Sequence, residues 1–371
     1  MRVTQPAVLV GNYDWDETLV PRAEYEARLK EVLAKLDGGL AGLVVYGNKV
    51  DNAALAYLTN FAPKIESGIA LVAKDGKVRV HAAGSPQMMI NAKRLTWVED
   101  VRPQRDVPKH VADWAAEAAA QGPLGFWATE AMPADLLPRL QAGLGDRKLV
   151  DVSATLNALL REKSPVALKL SHEACGMLAK AMAALKVRST KATGREAAVA
   201  AEQAAADAGA QDVRMLISLS KGGTPTAIDY PEGPKLDPLL AYIAVRHAGY
   251  WAEGFVTLSA AENPMLTRTR AALKAMLAAA KAGTTVAELR DAAQSALGGL
   301  AIHPAAHKAA VGVGLQLEEV ESEPGGVARL EAGRVYSLRA GAHLSLSDNA
   351  LLSAMIVPKA GGVDVLWSAL G

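Results

Sequence analysis

The sequence has very little cysteine, no long apolar run and no excess of charge of either sign. Cys175 is the only cysteine among 371 residues, which excludes an internal disulfide and fits a reducing compartment. Lys, Arg and Glu interrupt the Ala-rich stretches, so no segment has the roughly 20 apolar residues that span a bilayer. Lys and Arg total 40 against 39 Asp and Glu, which argues against nucleic acid or acidic membranes as partners. We therefore expect a cytoplasmic protein.

Half of the residues are hydrophobic, enough for two cores of ordinary size. A short helical stretch before Ser164-Pro165 is a plausible connection, and we predict domains at residues 1–155 and 156–371. The first reads as an α/β domain, with a helix over Arg22 to Leu36 and a strand pair that turns at Asp75-Gly76. The second has two Ala-rich helices, two strands around Tyr250, two further helices and three late strands. This order of elements predicts an α+β arrangement.

Segments from about residue 160 onward resemble, in order and spacing, the pita-bread family that includes methionine aminopeptidase, aminopeptidase P, prolidase and creatinase. They are REKSPVALKL, GGTPTAIDYPEG, AYIAVRHAGYWAEGFVTLS, AAVGVGLQLEE, LEAGRVYSLRAG and LLSAMIVP. The earlier segment VVYGNKVDNAALAYLTNFAPKIE resembles the creatinase-like N-terminal domain. The resemblance implies an α+β fold, in which a smaller α/β creatinase-like domain precedes a C-terminal pita-bread domain.

Most members of this family bind two metal ions through five ligands, and only one of the five positions keeps a carboxylate here. The second aspartate position is occupied by Glu253 in Gly-Tyr-Trp-Ala-Glu, and the first, eleven residues earlier, by Tyr242. The histidine position is Val311, the next glutamate is Arg339, and the last glutamate falls near Leu352. Divalent metals need several converging oxygen or nitrogen donors. We therefore predict neither a metal nor another cofactor.

The guanidinium of Arg339 would place a fixed positive charge where the metals lie in relatives. It could pair with Glu253 or bind a substrate carboxylate through two hydrogen bonds. The alternative is that Arg339 and Glu253 only neutralise one another. Tyr242 is a candidate for orienting the substrate.

Creatinase, the metal-free member of the family, works through a histidine, whose place here is taken by Asp229. This aspartate could transfer protons, or it could only stabilise a turn before Pro231. His307 is the histidine that we expect to reach the site, so Asp229, Glu253 and His307 are the catalytic candidates. Glu318 or Glu319 falls where relatives place a supporting His or Glu, and Glu318 is included as a substrate-binding candidate.

In dimeric relatives, the Tyr-Leu-Thr-x-Phe segment of the N-terminal domain approaches the partner's active site. The resemblance therefore implies a homodimer and makes Phe61 and Lys64 substrate-binding candidates, with Lys64 approximating an arginine of creatinase. Core packing explains Phe61 equally well.

These observations predict an enzyme, a metal-independent hydrolase or lyase. It would act on a carbon–nitrogen bond of a small polar substrate that carries a carboxylate, in a creatinase-like site. The alternative, from another class, is an inactive pita-bread protein that binds a small ligand or a protein partner. A third reading places a metal site elsewhere, built from other histidines and carboxylates.

Overall fold

The computed structural model describes residues 14–36, 39–117, 121–189, 192–218, 225, 237–261, 263–319, 321, 326–345 and 348–371. The chain divides after Leu160 into two compact units. The boundary predicted after residue 155 lies within the helix Ser153–Arg161, and the division falls at the end of that helix.

The N-terminal unit is an α/β domain. Its helices are α1 (Arg22–Lys35), α2 (Ala53–Thr59), α3 (Met89–Arg94), α4 (Val107–Glu117), α5 (Leu136–Leu144) and α6 (Ser153–Arg161). Its strands are β1 (Gly42–Asn48), β2 (Ser67–Ala73), β3 (Val78–Ala83), β4 (Asp100–Gln104), β5 (Leu124–Trp127) and β6 (Leu149–Asp151). They form one mixed sheet in the order β4-β3-β2-β1-β5-β6.

The predicted strand pair at Asp75-Gly76 is present, because β2 and β3 are antiparallel neighbours joined there. Gly76 has a φ of +85°, a conformation that glycine adopts without steric cost. The core of this unit contains apolar side chains of the central strands and of α4 and α5: Val44, Tyr46, Ile69, Leu71, Val111, Trp114, Phe126 and Leu140. Burial on both faces explains the continuous apolar run of β1.

The C-terminal unit contains four long helices: α7 (Pro165–Ser189), α8 (Gly194–Asp207), α9 (Pro264–Ala279) and α10 (Val286–Leu297). Two of them begin with the same capping arrangement. Thr193 accepts a hydrogen bond from the backbone of Glu196 at the start of α8, and Thr285 does so from Glu288 at the start of α10. Each pair satisfies backbone donors that a helix start leaves without partners.

The strands of this unit form two sheets. One contains β7 (Asp212–Ile217), β8 (Leu239–His247) and β9 (Tyr250–Leu258) in that order, all antiparallel. The other contains β10 (Ala301–Ile302), β11 (Ala310–Gly312), β12 (Tyr336–Ser345), β13 (Asp348–Lys359) and β14 (Gly362–Ser368). Its order is β10-β12-β13-β14, and β11 pairs with the other end of β12. Helices and antiparallel strands thus give the predicted α+β architecture.

A single large core joins the helices and sheets of this unit. Cys175 on α7 is fully buried in it, and burial raises the pKa of its thiol to about 12. A buried free cysteine in this position packs as a small apolar side chain. Across the described ranges, no helix is both long enough and apolar enough to cross a membrane.

Candidate active site

The hairpin of β8 and β9 places Tyr242 and Glu253 on the same face. Tyr242 lies opposite Phe255, and Glu253 lies opposite Ala244, so these four side chains share one side of the ladder. The phenol Oη of Tyr242 donates a hydrogen bond of 2.8 Å to Oε2 of Glu253. Burial, followed by the charge of Glu253, raises the pKa of Tyr242 well above its usual value. Tyr242 therefore keeps its proton and acts as a donor.

Arg339 on β12 completes a group of three hydrogen-bonded side chains with Tyr242 and Glu253. Its Nε and Nη2 both donate to Oε1 of Glu253, at 3.1 and 2.6 Å. Only 1% of the Glu253 side chain is exposed, against 13% of Arg339. Both carboxylate oxygens of Glu253 therefore have donors, and its buried charge is compensated.

One nitrogen of Arg339 stays available. Within the described part of the chain, Nη1 makes no hydrogen bond, whereas Nε and Nη2 are held by Glu253. The guanidinium carbon lies 5.3 Å from the ring centroid of Phe255, and the rings of Phe255 and Tyr242 are 4.6 Å apart. The site thus combines a fixed cation with two partly exposed aromatic rings.

The strand register identifies the neighbours of this group. Arg339 pairs with Ser353 across β12 and β13, and Ser337, two residues earlier on β12, pairs with Val311 on β11. Paired residues share a face, so Val311 and Ser353 lie on the side of the sheet that carries Arg339. Leu352 is one position out of phase and packs in the core on the opposite side.

Ser353, and not Leu352, therefore lies on the face of the sheet that carries Arg339. Its Oγ accepts a hydrogen bond of 2.8 Å from the backbone N–H of Phe255. This bond ties the strand that carries Glu253 to the strand beside Arg339.

The residues at the family's metal positions do not fit a pair of divalent ions. Among them only Glu253 carries a carboxylate, and its oxygens are taken by Tyr242 and Arg339. A guanidinium has no lone pair to coordinate a metal, and the apolar Val311 has no donor atom. Throughout the residues that the structure describes, no group of three or more His, Cys, Asp or Glu side chains could hold a metal.

The structure places the other C-terminal candidates as follows. His307 is exposed, and its carbonyl accepts a hydrogen bond from Arg290. Glu318 is half exposed and pairs with Lys308. Asp229 lies outside the described residues. Roles of these three residues in the site stay predictions.

The two candidates of the N-terminal unit occupy different environments. Phe61 is buried, and its ring leaves no room for a side chain at Gly68 on β2. This contact agrees with the packing alternative for Phe61. Lys64 is exposed for the most part, and partial desolvation of its ammonium group lowers its pKa.

A buried ion pair next to β11 was not predicted from the sequence. Nζ of Lys163 donates to Oε1 of Glu319 at 2.7 Å, and 1% and 3% of the two side chains are exposed. Oε1 of Glu319 comes within 2.2 Å of where a Cβ on Gly314 would lie. The carbonyl of Gly314 in turn accepts from the backbone N–H of Trp251, two residues before Glu253. The pair therefore supports the strand that carries the site.

An α/β unit followed by an antiparallel α+β unit is the arrangement expected for creatinase-type proteins. The model of metallopeptidase family M24 matches residues 169–363, and the creatinase/prolidase N-terminal domain model matches residues 27–162. The chain belongs to metallopeptidase family M24, a family of hydrolytic peptidases. The resemblance drawn from the sequence and the fold class are confirmed.

Solved structures agree in fold along nearly the whole chain. The prolidase from Pyrococcus horikoshii is 16% identical, with a TM-score of 0.71, over 92% of this chain and 97% of that one. The X-Pro aminopeptidase from Thermotoga maritima is 16% identical with a TM-score of 0.73, over 92% and 97%. The Xaa-Pro dipeptidase from Bacillus anthracis is 15% identical with a TM-score of 0.71, over 93% and 97%. The curated proteins contain no significant match.

The comparisons correct the functional prediction. A metal-independent hydrolase or lyase of small carboxylate-bearing molecules is wrong, and so is its alternative, an inactive binding protein. The matching family is one of metallopeptidases, and the similar structures are named prolidase, X-Pro aminopeptidase and Xaa-Pro dipeptidase. The error arose because the identities of a few ligand positions were given more weight than the match of the whole domain.

Proposed function

We propose that the C-terminal unit hydrolyses the amide bond of short peptides of the Xaa-Pro type. The match to the peptidase model over residues 169–363 carries this proposal, because it spans the strands that hold Tyr242, Glu253 and Arg339. Similar structures named prolidase and X-Pro aminopeptidase support the same class of substrate.

Arg339 is the residue that we propose to bind the substrate. Its Nη1 can donate to an oxygen of the peptide, and Glu253 fixes the guanidinium through Nε and Nη2. A donor held in place before the substrate arrives stabilises negative charge on a carbonyl oxygen at little reorganisation cost. The rings of Phe255 and Tyr242 beside it offer an apolar surface to a pyrrolidine ring.

Glu253 and Tyr242 take a positioning role in this proposal. Each oxygen of Glu253 already accepts a hydrogen bond, one from Tyr242 and one from Arg339. A carboxylate in that state fixes the orientation of the guanidinium.

The proposal is tested by mass-spectrometric assay of Ala-Pro, Gly-Pro and Ala-Pro-Ala, with Pro-Ala as a sequence control. The assay is run on chelator-treated protein and again with added Mn²⁺ or Zn²⁺. Arg339→Met should lower the rate of Xaa-Pro cleavage by about 100-fold, the usual effect of losing one oriented donor. Arg339→Lys keeps the positive charge but lacks the planar guanidinium, so its rate of cleavage should lie between those of wild type and Arg339→Met.

Arg270→Met is the matched control, since Arg270 is exposed on α9, and its rate should equal that of the wild type. Absence of cleavage in every condition, or an undiminished rate in Arg339→Met, contradicts the proposal. A requirement for added Mn²⁺ or Zn²⁺ would show that a metal ion takes part in the cleavage, as in the metallopeptidases of the family.

We also propose a homodimer in the cytoplasm, on the basis of the resemblance and the composition. Light scattering coupled to size-exclusion chromatography should then give twice the chain mass of 38.7 kDa. A mass of one chain at micromolar concentration contradicts the dimer.

A further inference from the structure

The face of β12 that carries Arg339 holds a second polar side chain from a different segment. Gly341 follows Arg339 by two residues, so both lie on the same face, about 7 Å apart along the strand. A Cβ at Gly341 would lie 2.6 Å from Cβ of His303, so the missing side chain leaves the space that His303 occupies. The backbone N–H of His303 donates to the carbonyl of Gly341 at 3.0 Å.

The tautomer of His303 is set by its own turn. The backbone N–H of Ala305 donates to Nδ1 at 3.1 Å, so Nδ1 is an acceptor. Burial, followed by the neighbouring His343 and His307, lowers the pKa of His303 to about 4. The ring is therefore neutral at pH 7, and its proton is on Nε2. Across the described ranges, Nε2 has no hydrogen-bond partner.

The surroundings of His303 connect it to the aromatic part of the site. Ile302 and Ala305, on either side of His303, pack with Phe255 in one apolar cluster. The guanidinium of Arg339 also lies over the ring of Phe255, 5.3 Å from its centroid. An apolar group held by Phe255 would therefore lie near a charged donor, Arg339, and near the neutral ring of His303.

We propose that His303 is a second ligand-binding residue of this site, whose Nε2–H donates to an oxygen of the short peptide that Arg339 holds. The inference rests on the proposed function for the class of ligand. A proline-containing peptide suits the arrangement, since it offers an apolar ring between two oxygen acceptors, its amide carbonyl and its carboxylate.

Two substitutions separate binding from the structural role of His303. His303→Asn keeps an acceptor near Nδ1 for the N–H of Ala305 and removes the Nε2 donor, because asparagine caps such turns well. His303→Gln extends an amide N–H to about the distance of Nε2 and places no acceptor at Nδ1. A purely structural histidine would tolerate Asn better than Gln in every measurement.

The probe is N-acetylproline, which carries one amide carbonyl, one carboxylate and the pyrrolidine ring, measured by isothermal titration calorimetry. His303→Asn should bind it about fivefold to tenfold more weakly than wild type, with an unchanged melting temperature. His303→Gln should bind within about threefold of wild type and melt about 2–4 °C lower, since it loses the turn acceptor.

Hydrolysis of Ala-Pro is measured in parallel and separates this inference from the proposed function. The inference is overturned, whatever the hydrolysis rate, if His303→Asn binds N-acetylproline as tightly as wild type. It is also overturned if wild type does not bind N-acetylproline. Binding that depends on His303 in a protein that leaves Ala-Pro intact overturns the proposed function and supports the inference.

Discussion

Removing the buried cation Lys163 should destabilise the C-terminal unit far more than removing the exposed Lys308. The perturbation is Lys163→Met, which keeps most of the side-chain volume and leaves Glu319 without its main partner. The matched control is Lys308→Met, whose partner is the adjacent Glu318. The two lysines serve neighbouring glutamates, and they differ chiefly in burial.

The expected magnitudes follow from exposure and distance. Lys163 and Glu319 are 1% and 3% exposed at 2.7 Å, whereas Lys308 and Glu318 are 53% and 49% exposed. At an effective dielectric constant of 20, charges at that distance attract by about 6 kcal/mol, and desolvation of both ions offsets much of this. Losing one partner of a buried pair costs about 3–5 kcal/mol, because the other charge stays buried. An exposed pair contributes about 0–1 kcal/mol.

The desolvation of these two groups is also visible in the directions of their pKa values. Burial lowers the pKa of Lys163 and raises that of Glu319, and in both cases the partner's charge opposes the shift. The double variant Lys163→Met with Glu319→Leu removes both desolvated charges. It should therefore regain most of the stability that Lys163→Met loses.

The assay is urea unfolding followed by circular dichroism for wild type, Lys163→Met, Lys308→Met and the double variant. Equal free-energy losses in the two lysine variants, within about 0.5 kcal/mol, would refute the reasoning from burial. A double variant less stable than Lys163→Met would show that Glu319 contributes independently of the lysine.

Three further predictions concern other parts of the fold. Gly254→Ala should lower the free energy of unfolding by about 1–3 kcal/mol, since a Cβ there would lie 2.6 Å from the indole of Trp367. Gly176→Ala, on the exposed surface of α7, should leave it unchanged or raise it. A melting temperature of Gly254→Ala equal to or above that of Gly176→Ala contradicts this. Cys175 should stay unreactive to a thiol reagent at pH 8 and react after denaturation, because burial raises its pKa to about 12; stoichiometric labelling of native protein refutes it. Desolvation, followed by the charge of His110, lowers the pKa of buried His81 to about 4. The unfolded state therefore binds more protons than the folded state below pH 6.5. The free energy of unfolding should fall by about 2–3 kcal/mol from pH 7 to pH 4 because of this residue. His81→Phe should remove this contribution to the slope in urea titrations, while the contribution of His303, whose pKa is also lowered to about 4, stays. An unchanged slope counts against the assignment.

Local signals in the sequence predicted many of the elements well. One of the two Ala-rich helices expected in the second domain is α8, which starts at the capping pair of Thr193 and Glu196. The turn at Asp75-Gly76 and the two strands around Tyr250 were also predicted, and all three depend on interactions between near neighbours. The pairing of Arg339 with Glu253 was one of the two interactions considered for Arg339 from the sequence, and the structure contains it.

Features set by strand register and by long-range contact were not predictable. A one-residue difference decides that Ser353 and not Leu352 lies on the face of Arg339, and the sequence around them is apolar on both sides. The pairing of Lys163 with Glu319 joins positions 156 residues apart. His303 was not among the site candidates, since nothing in the local sequence indicates that it fills the space left by Gly341.

The hydrogen-bonded group of Tyr242, Glu253 and Arg339 also constrains how this chain could change over evolutionary time. Replacing Arg339 alone with glutamate would set two buried acids together with no cation, and replacing Tyr242 alone with aspartate would add a second acid beside Glu253. Either first step places uncompensated charge in a nearly dry site, at a cost of about 3–5 kcal/mol. A return to the family's metal ligands would therefore need several substitutions at once, with no single step favoured on the way.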